Sequence, residues 1–348
     1  MTRPLLRRLA LPATLAPVLL VAACSSGAAG AASDAASDGT LTVVASTDVW
    51  GDVAAQVAGE HAEVTSVITD PSADPHSFEL TARDQLAVSR ADLVVMNGGH
   101  YDEWMGTALG ALDAPPAVVD AVGTAGGDEH AGDEHAGDEH AEEEHAEEEH
   151  AEEEHGEAAA ASAAAPSDGH DHGDEANEHV WYDLHVAAAV AQAVADALSD
   201  LDADHAADYE ANAAAFVAGV EGVEAEAAEL ATVAGGTSVA ATEPVPAYLL
   251  AAAGLVDATP AEYAQAIEEE TDVPPAAMRA MLDLLSSRTA AVLVENAQTS
   301  GPQTEEAVTA AEAAGVPVVA MTETLPEGED YVSWMSANVA ALRQALGA

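Results

Sequence analysis

Lysine is missing from this sequence, and cysteine occurs once. Basic residues number 8 against 63 acidic ones, giving a formal net charge of −55. Such a surface repels nucleic acid and anionic headgroups and draws cations, so no nucleic-acid partner is expected. Cys24, the single cysteine, permits no intramolecular disulfide and no thiolate zinc site, so any metal must be held by imidazoles and carboxylates. There is also no His-Glu-x-x-His, because every histidine of the internal repeat is followed by Ala or Gly. That absence, with no general base beside an open metal position, speaks against a zinc hydrolase. The N-terminal apolar run through Leu15, Val18, Leu19, Leu20 and Val21 follows Arg3, Arg7 and Arg8. It has the form of an export signal and not of a spanning helix.

What is present is organised around residues 128–185. Three Gly-Asp-Glu-His-Ala units and then Ala-Glu-Glu-Glu-His units place His130, His135, His140, His145, His150 and His155 among carboxylates. An Ala/Ser/Pro/Gly segment with His170 and His172 follows, ending at Asn177-Glu178-His179-Val180-Trp181-Tyr182. On a helix a five-residue spacing turns successive side chains by about 140°, so these histidines would line no single face. Dense like charge and glycine also oppose a helix, and the insertion is expected to be a solvated, disordered loop. Each acid–His unit offers a weak N/O site, so auxiliary metal capture is expected, with a purely solubilising insertion as the alternative.

The rest of the chain alternates strand-like and helix-like runs. Residues 41–47, 64–69, 93–97 and 118–119 are apolar or β-branched, with helical spacing at 49–58 and 83–89. After an Ala/Val-rich helix at 186–198, residues 202–233 lack proline and carry Tyr209, Phe216, Val220, Val223, Ala227 and Leu230 as one apolar stripe. This predicts a helix of roughly 45 Å, long enough to cross between two lobes. Strand-like runs resume at 237–242, 291–294 and 316–320, with helices at 248–252, 260–270, 275–285 and 330–346. The expected fold is α/β: two Rossmann-like lobes joined by a long connecting helix. The corresponding divisions are a signal peptide at 1–23, a tether at 24–40, a first lobe at 41–201 with the insertion at 126–176, the helix at 202–233 and a second lobe at 234–348.

Four places carry candidate chemistry. His76, in Asp74-Pro75-His76-Ser77-Phe78, lies just past a predicted strand, where open α/β sheets bind ligands. His179 has aromatic neighbours that favour a neutral, metal-competent imidazole. Glu243 and Glu323 each emerge from a second-lobe strand, and a buried carboxylate there must be paired or coordinating. Two imidazoles and two carboxylates form a closed N/O set in the cleft between lobes, suited to holding Zn²⁺, or Mn²⁺, and not to catalysis. His100 and His185 are further candidates. His61 and His205 read as surface residues.

These residues resemble a known family, the zinc/manganese substrate-binding lipoproteins of bacterial ABC importers (cluster A-I), most closely its zinc members. Asp74-Pro75-His76-Ser77-Phe78 and Glu178-His179-Val180-Trp181 look like its two His-ligand motifs, and Ala22-Ala23-Cys24-Ser25 looks like the lipoprotein cleavage box. The third ligand of the family is usually His, and Glu243 stands in its place; the fourth is usually acidic, which the resemblance assigns to Glu323, with Thr322 and Glu295 as alternatives. The resemblance implies a monomeric receptor, lipid-anchored through Cys24 on the extracytoplasmic face, that passes Zn²⁺ to a permease and, through it, its ATPase. It also implies limited lobe movement about the connecting helix. A manganese receptor, a metal-dependent adhesin and a metal buffer are the alternatives.

Overall fold

The computed structural model describes residues 40–70, 78–127 and 177–348. Cys24, His76 and the eight loop histidines expected to bind metal lie outside the described residues.

Strands β1 (Leu41–Thr47), β2 (Ala62–Ile68), β3 (Leu93–Met96) and β4 (Ala117–Asp120) form one parallel sheet in the order β2-β1-β3-β4. Strands β5 (Ser238–Ala241), β6 (Val256–Asp257), β7 (Leu293–Asn296) and β8 (Val318–Met321) form a second parallel sheet, β6-β5-β7-β8. The two orders repeat one arrangement, in which the first strand lies between the second and the third. The winding direction reverses beside that first strand, and a crevice opens at the carboxyl ends there. Asn97 and Asn296 lie at or just past the ends of β3 and β7, and Glu243 and Glu323 lie two residues past β5 and β8.

The central strands β1 and β3 of the first sheet are buried on both faces because helices cover both. Val43, Ala45 and Val95 enter one core, while Val44, Val94 and Met96 enter another on the opposite face, as a period of two requires. Eleven helices are described: α1 (Asp48–Ala58), α2 (Ala82–Val88), α3 (Glu103–Gly110), α4 (Ala121–Gly127), α5 (Leu184–Leu201), α6 (Ala206–Ala234), α7 (Ala247–Ala252), α8 (Ala261–Glu268), α9 (Pro275–Ser286), α10 (Pro302–Ala314) and α11 (Tyr331–Leu346). Asp183 caps α5 by accepting from the backbone of His185 and Val186, which sets where the segment bearing His179 ends.

Helix α6 buries the predicted stripe, with Tyr209, Phe216, Val220, Val223, Ala227 and Leu230 all inaccessible or nearly so. It starts at Ala206 and not at residue 202, because a 3₁₀ turn over Ala203–His205 intervenes. Nor does it stand apart as a bare spacer, since it packs against α1, α5, α7 and α11. A single core runs from the first sheet through α1, α5, α6 and α11 to the inner face of the second. The carboxyl ends of both sheets are therefore held by one continuous packed layer, in which voids and displacements are costly.

Candidate metal centre

His179 precedes a 3₁₀ turn (Val180–Tyr182) and is 1% exposed. Its orientation is set by Asn177, whose Oδ1 accepts from the His179 backbone at 3.1 Å and lies 2.7 Å from Nδ1. The Asn177 Nδ2 donates to the Pro244 carbonyl at 3.0 Å, so the amide cannot be reversed without losing both contacts. An amide oxygen only accepts, which makes Nδ1 the protonated nitrogen and leaves Nε2 with its lone pair in the neutral ring. A hydrogen bond of this kind on the far nitrogen is how metal-binding imidazoles are aimed. Trp181 and Tyr101 meet the ring edge-on, with centroids 5.1 and 6.0 Å away. The same Asn177 contact ties His179 to the turn that carries Glu243.

Glu243 and Glu323 are each 4% exposed. One amide holds both, as Asn296 Nδ2 donates to Glu243 Oε2 at 2.5 Å and to Glu323 Oε1 at 2.7 Å. Asn296 Oδ1 accepts from the Gln298 backbone, which points the NH₂ group at the carboxylates. The remaining oxygens are also engaged: Thr299 donates to Glu243 Oε1, and Tyr101 donates to Glu323 Oε2 at 3.0 Å. Gln298 Oε1 accepts from the backbone of Glu323 and Thr324, fixing the loop after β8. These donors are neutral, so they orient the two carboxylates without cancelling their charge. Two like charges roughly 5 Å apart repel by about 3 kcal/mol at an effective dielectric near ~20. A cation relieves that repulsion, and it raises the value of a fixed geometry.

Glu268, the last residue of α8, completes the surroundings, with Oε1 3.5 Å from His179 Nε2 and its side chain 27% exposed. Tyr263 of the same helix is buried, and burial, reinforced by the charge of Glu243, pushes its phenol far up. Among the described residues, no group of three or more His, Cys, Asp or Glu side chains is gathered as a metal site. The described donors instead form two pairs, His179 with Glu268 and Glu243 with Glu323. Tyr101 spans them, packing on His179 and bonding Glu323.

The first-lobe side is built from Asn97, whose Nδ2 donates to the Glu178 carbonyl at 2.9 Å while Trp50 Nε1 donates to its Oδ1 at 3.1 Å. Asp102, fully buried, accepts from the backbone of Asn97 and Gly98, and burial raises its carboxyl above the usual range. Gly98 has φ 80°, and a Cβ there would fall 2.0 Å from Asp120 Oδ1. Only glycine fits that turn.

Of the alternatives for the last position, neither Glu295 nor Thr322 joins Glu243. Glu295 alternates to the other face of β7 from Asn296, and burial with the charge of Glu312 on α10 raises its pKa. Thr322 bonds the Thr324 carbonyl through its hydroxyl and accepts from Tyr182 through its own carbonyl. His185 is 87% exposed and meets Glu224 on α6, away from the pairs. His100 is 70% exposed and lies 3.0 Å from Glu178 Oε1. His61 and His205, expected as surface residues, stack on each other with centroids 4.0 Å apart.

Sequence reasoning missed Asn177, Tyr101, Glu268 and Asn296. Asn296 was within reach. Val294 faces the same core as Val319 and Met321, so a period of two along β7 puts residue 296, and not 295, on the site side.

A family model described as "Zinc-uptake complex component A periplasmic" matches residues 43–345. The manganese-binding lipoprotein MntA of Halalkalibacterium halodurans is 33% identical over 87 residues, covering 25% of this chain and 28% of that protein. The iron-binding protein YfeA of Yersinia pestis is 36% identical over 80 residues, covering 23% and 25%. The matched stretches thus span about a quarter of these curated relatives. The solved periplasmic zinc-binding protein TroA from Treponema pallidum matches with a TM-score of 0.65 at 17% identity, covering 88% of this chain and 99% of that one. The laminin-binding protein Lmb of Streptococcus agalactiae, described as having adhesin and metal-transporting activity, matches at 0.64 and 19%, covering 88% and 100%. At these identities the structures establish the two-lobed α/β fold.

Proposed function

Because the chain belongs to the family of periplasmic zinc-uptake component A, we propose that it is an extracytoplasmic receptor that captures one divalent cation and delivers it to an ABC import permease. Zn²⁺ is the proposed cargo, and the protein does no chemistry on it. The observation that carries this reading is a buried imidazole whose Nε2 lies 3.5 Å from the Glu268 carboxylate, together with a pair of buried carboxylates held by neutral donors. The proposed ligands are His76 and His179 from the first lobe and Glu243 and Glu323 from the second. Manganese is the second reading, favoured by the carboxylate-rich half, because each replacement of imidazole by carboxylate moves a site toward harder cations.

The insertion is proposed as an auxiliary metal-capturing loop, with His130, His135, His140, His145, His150, His155, His170 and His172 as its donors. Deleting residues 128–174 should lower zinc stoichiometry in isothermal titration while one tight site remains. Loss of all tight binding would transfer the primary site to the loop and sink the cleft reading.

The anchor is proposed at Cys24, on the outer face of the cell membrane. Replacing Cys24 by Ala should release the protein from the membrane fraction and abolish incorporation of labelled fatty acid. Retention of the label would place the anchor elsewhere. An adhesin or metal buffer built on the same site would bind zinc equally well, and zinc uptake that does not change when this chain is deleted would favour those readings.

A further inference from the structure

We infer that Glu268 is a further donor to the cargo cation, beside His179. This rests on the receptor reading and deepens it, adding a ligand from a helix that the sequence motifs do not mark. Nδ1 of His179 is committed to Asn177, so Nε2 is the nitrogen available to a cation, and Glu268 Oε1 lies 3.5 Å from it. A charge-assisted hydrogen bond between imidazolium and carboxylate closes to about 2.7–2.9 Å. Two donors on one ion, each at roughly 2.0–2.2 Å, stand ~3.0–3.5 Å apart along an edge of the coordination polyhedron. The observed separation is the longer one.

Helix α8 is placed for this role. Tyr263, five residues earlier, is inaccessible and packs in one core with Ala240 of β5 and Leu293 of β7, so the helix that ends in Glu268 lies on the sheet whose strand ends carry Glu243. The Glu268 side chain is 27% exposed whereas Glu243 and Glu323 are 4% exposed. Among the described residues it is the accessible acidic group against the buried imidazole, positioned to meet an arriving ion first and remain on it. A carboxylate added to the set raises the coordination number and favours the harder, higher-coordinate Mn²⁺ over tetrahedral Zn²⁺.

The test uses the full chain at less than one equivalent of metal, so that the tightest site fills before the loop. Zn²⁺ and Mn²⁺ affinities are measured by chelator competition for wild type, Glu268→Gln and Glu269→Gln. The last variant is the control for net charge, as the Glu269 carboxylate accepts from Gln265 at 2.8 Å. Glu268→Gln is expected to weaken Mn²⁺ about tenfold or more and Zn²⁺ less. It should also intensify the visible absorption of bound Co²⁺ as the ion loses a ligand, while Glu269→Gln matches wild type. If Glu268→Gln fails to fold, Glu268→Asp serves, with a smaller loss of Mn²⁺ expected. Unchanged affinities and an unchanged Co²⁺ spectrum in a folded variant would overturn the inference and leave the receptor reading standing. A wild-type chain that holds none of these ions tightly would instead overturn both.

Discussion

Replacing His179 by Gln is expected to weaken the tight cation site by more than 100-fold, measured by chelator competition on the full chain. Removing a group that only orients a metal-binding imidazole typically lowers affinity by about 10–100-fold, and this change removes the nitrogen itself. Glutamine is preferred to alanine for the test. The imidazole is 1% exposed and packed by Tyr101 and Trp181, so truncation would leave a cavity and mix destabilisation with lost coordination. The loop histidines should continue to bind metal weakly, which separates the two kinds of site within one titration. Sub-micromolar zinc affinity that survives the change would show that His179 does not hold the ion. Replacing Asn177 by Ala should have the smaller effect, since the nitrogen stays and only its aim is lost.

That contrast bears on what could be read from the sequence. The elements legible in advance were those whose own residues declare them. The run Val43-Val44-Ala45 made β1 visible, and the stripe from Tyr209 to Leu230 made α6 visible. Strand β7 was placed two residues early because its last residues, Glu295 and Asn296, are polar and break the apolar pattern. Their strand conformation comes from pairing with Ala320 and Met321 on β8, a tertiary cause. Strand β6 is two residues long and exposed, too short to signal itself. Helix α10 was missed because it buries only Thr304, Ala307 and Ala311, small residues that leave almost no amphipathic trace.

The candidate site divides in the same way. Glu243 and Glu323 were legible because a carboxylate leaving a buried strand needs an explanation. Glu268 needed coordinates, because in sequence it belongs to a Glu268-Glu269-Glu270 run at a helix end, which reads as a solvated terminus. Asn177 and Tyr101 needed coordinates for another reason. Tyr101 acts through Glu323, and the amide of Asn177, two residues from His179, is fixed in its orientation by a contact to Pro244 across a long sequence separation.

Asn296 gives the second large effect, and its sign separates a structural amide from one that serves a cation. Asp is nearly the same shape but cannot donate from an ionised carboxylate, so Asn296→Asp replaces two hydrogen bonds with two repulsions. Each lost bond to a buried charged acceptor costs about 1–3 kcal/mol, and each new repulsion adds up to about 4 kcal/mol near 4 Å at a dielectric of ~20. The metal-free variant is therefore expected to lose about 3 kcal/mol or more, read as a fall of many degrees in Tm. Three carboxylates around one point also attract a divalent cation more strongly than two. Saturating Zn²⁺ or Mn²⁺ should thus raise the Tm of Asn296→Asp by more than it raises that of wild type, as binding to the folded state alone requires. Asn296→Leu removes both donors without adding charge, and it should lose stability with no such enlarged recovery. An Asn296→Asp protein that melts where wild type does, or that metal fails to rescue, would show that Glu243 and Glu323 do not share an ion beside this amide.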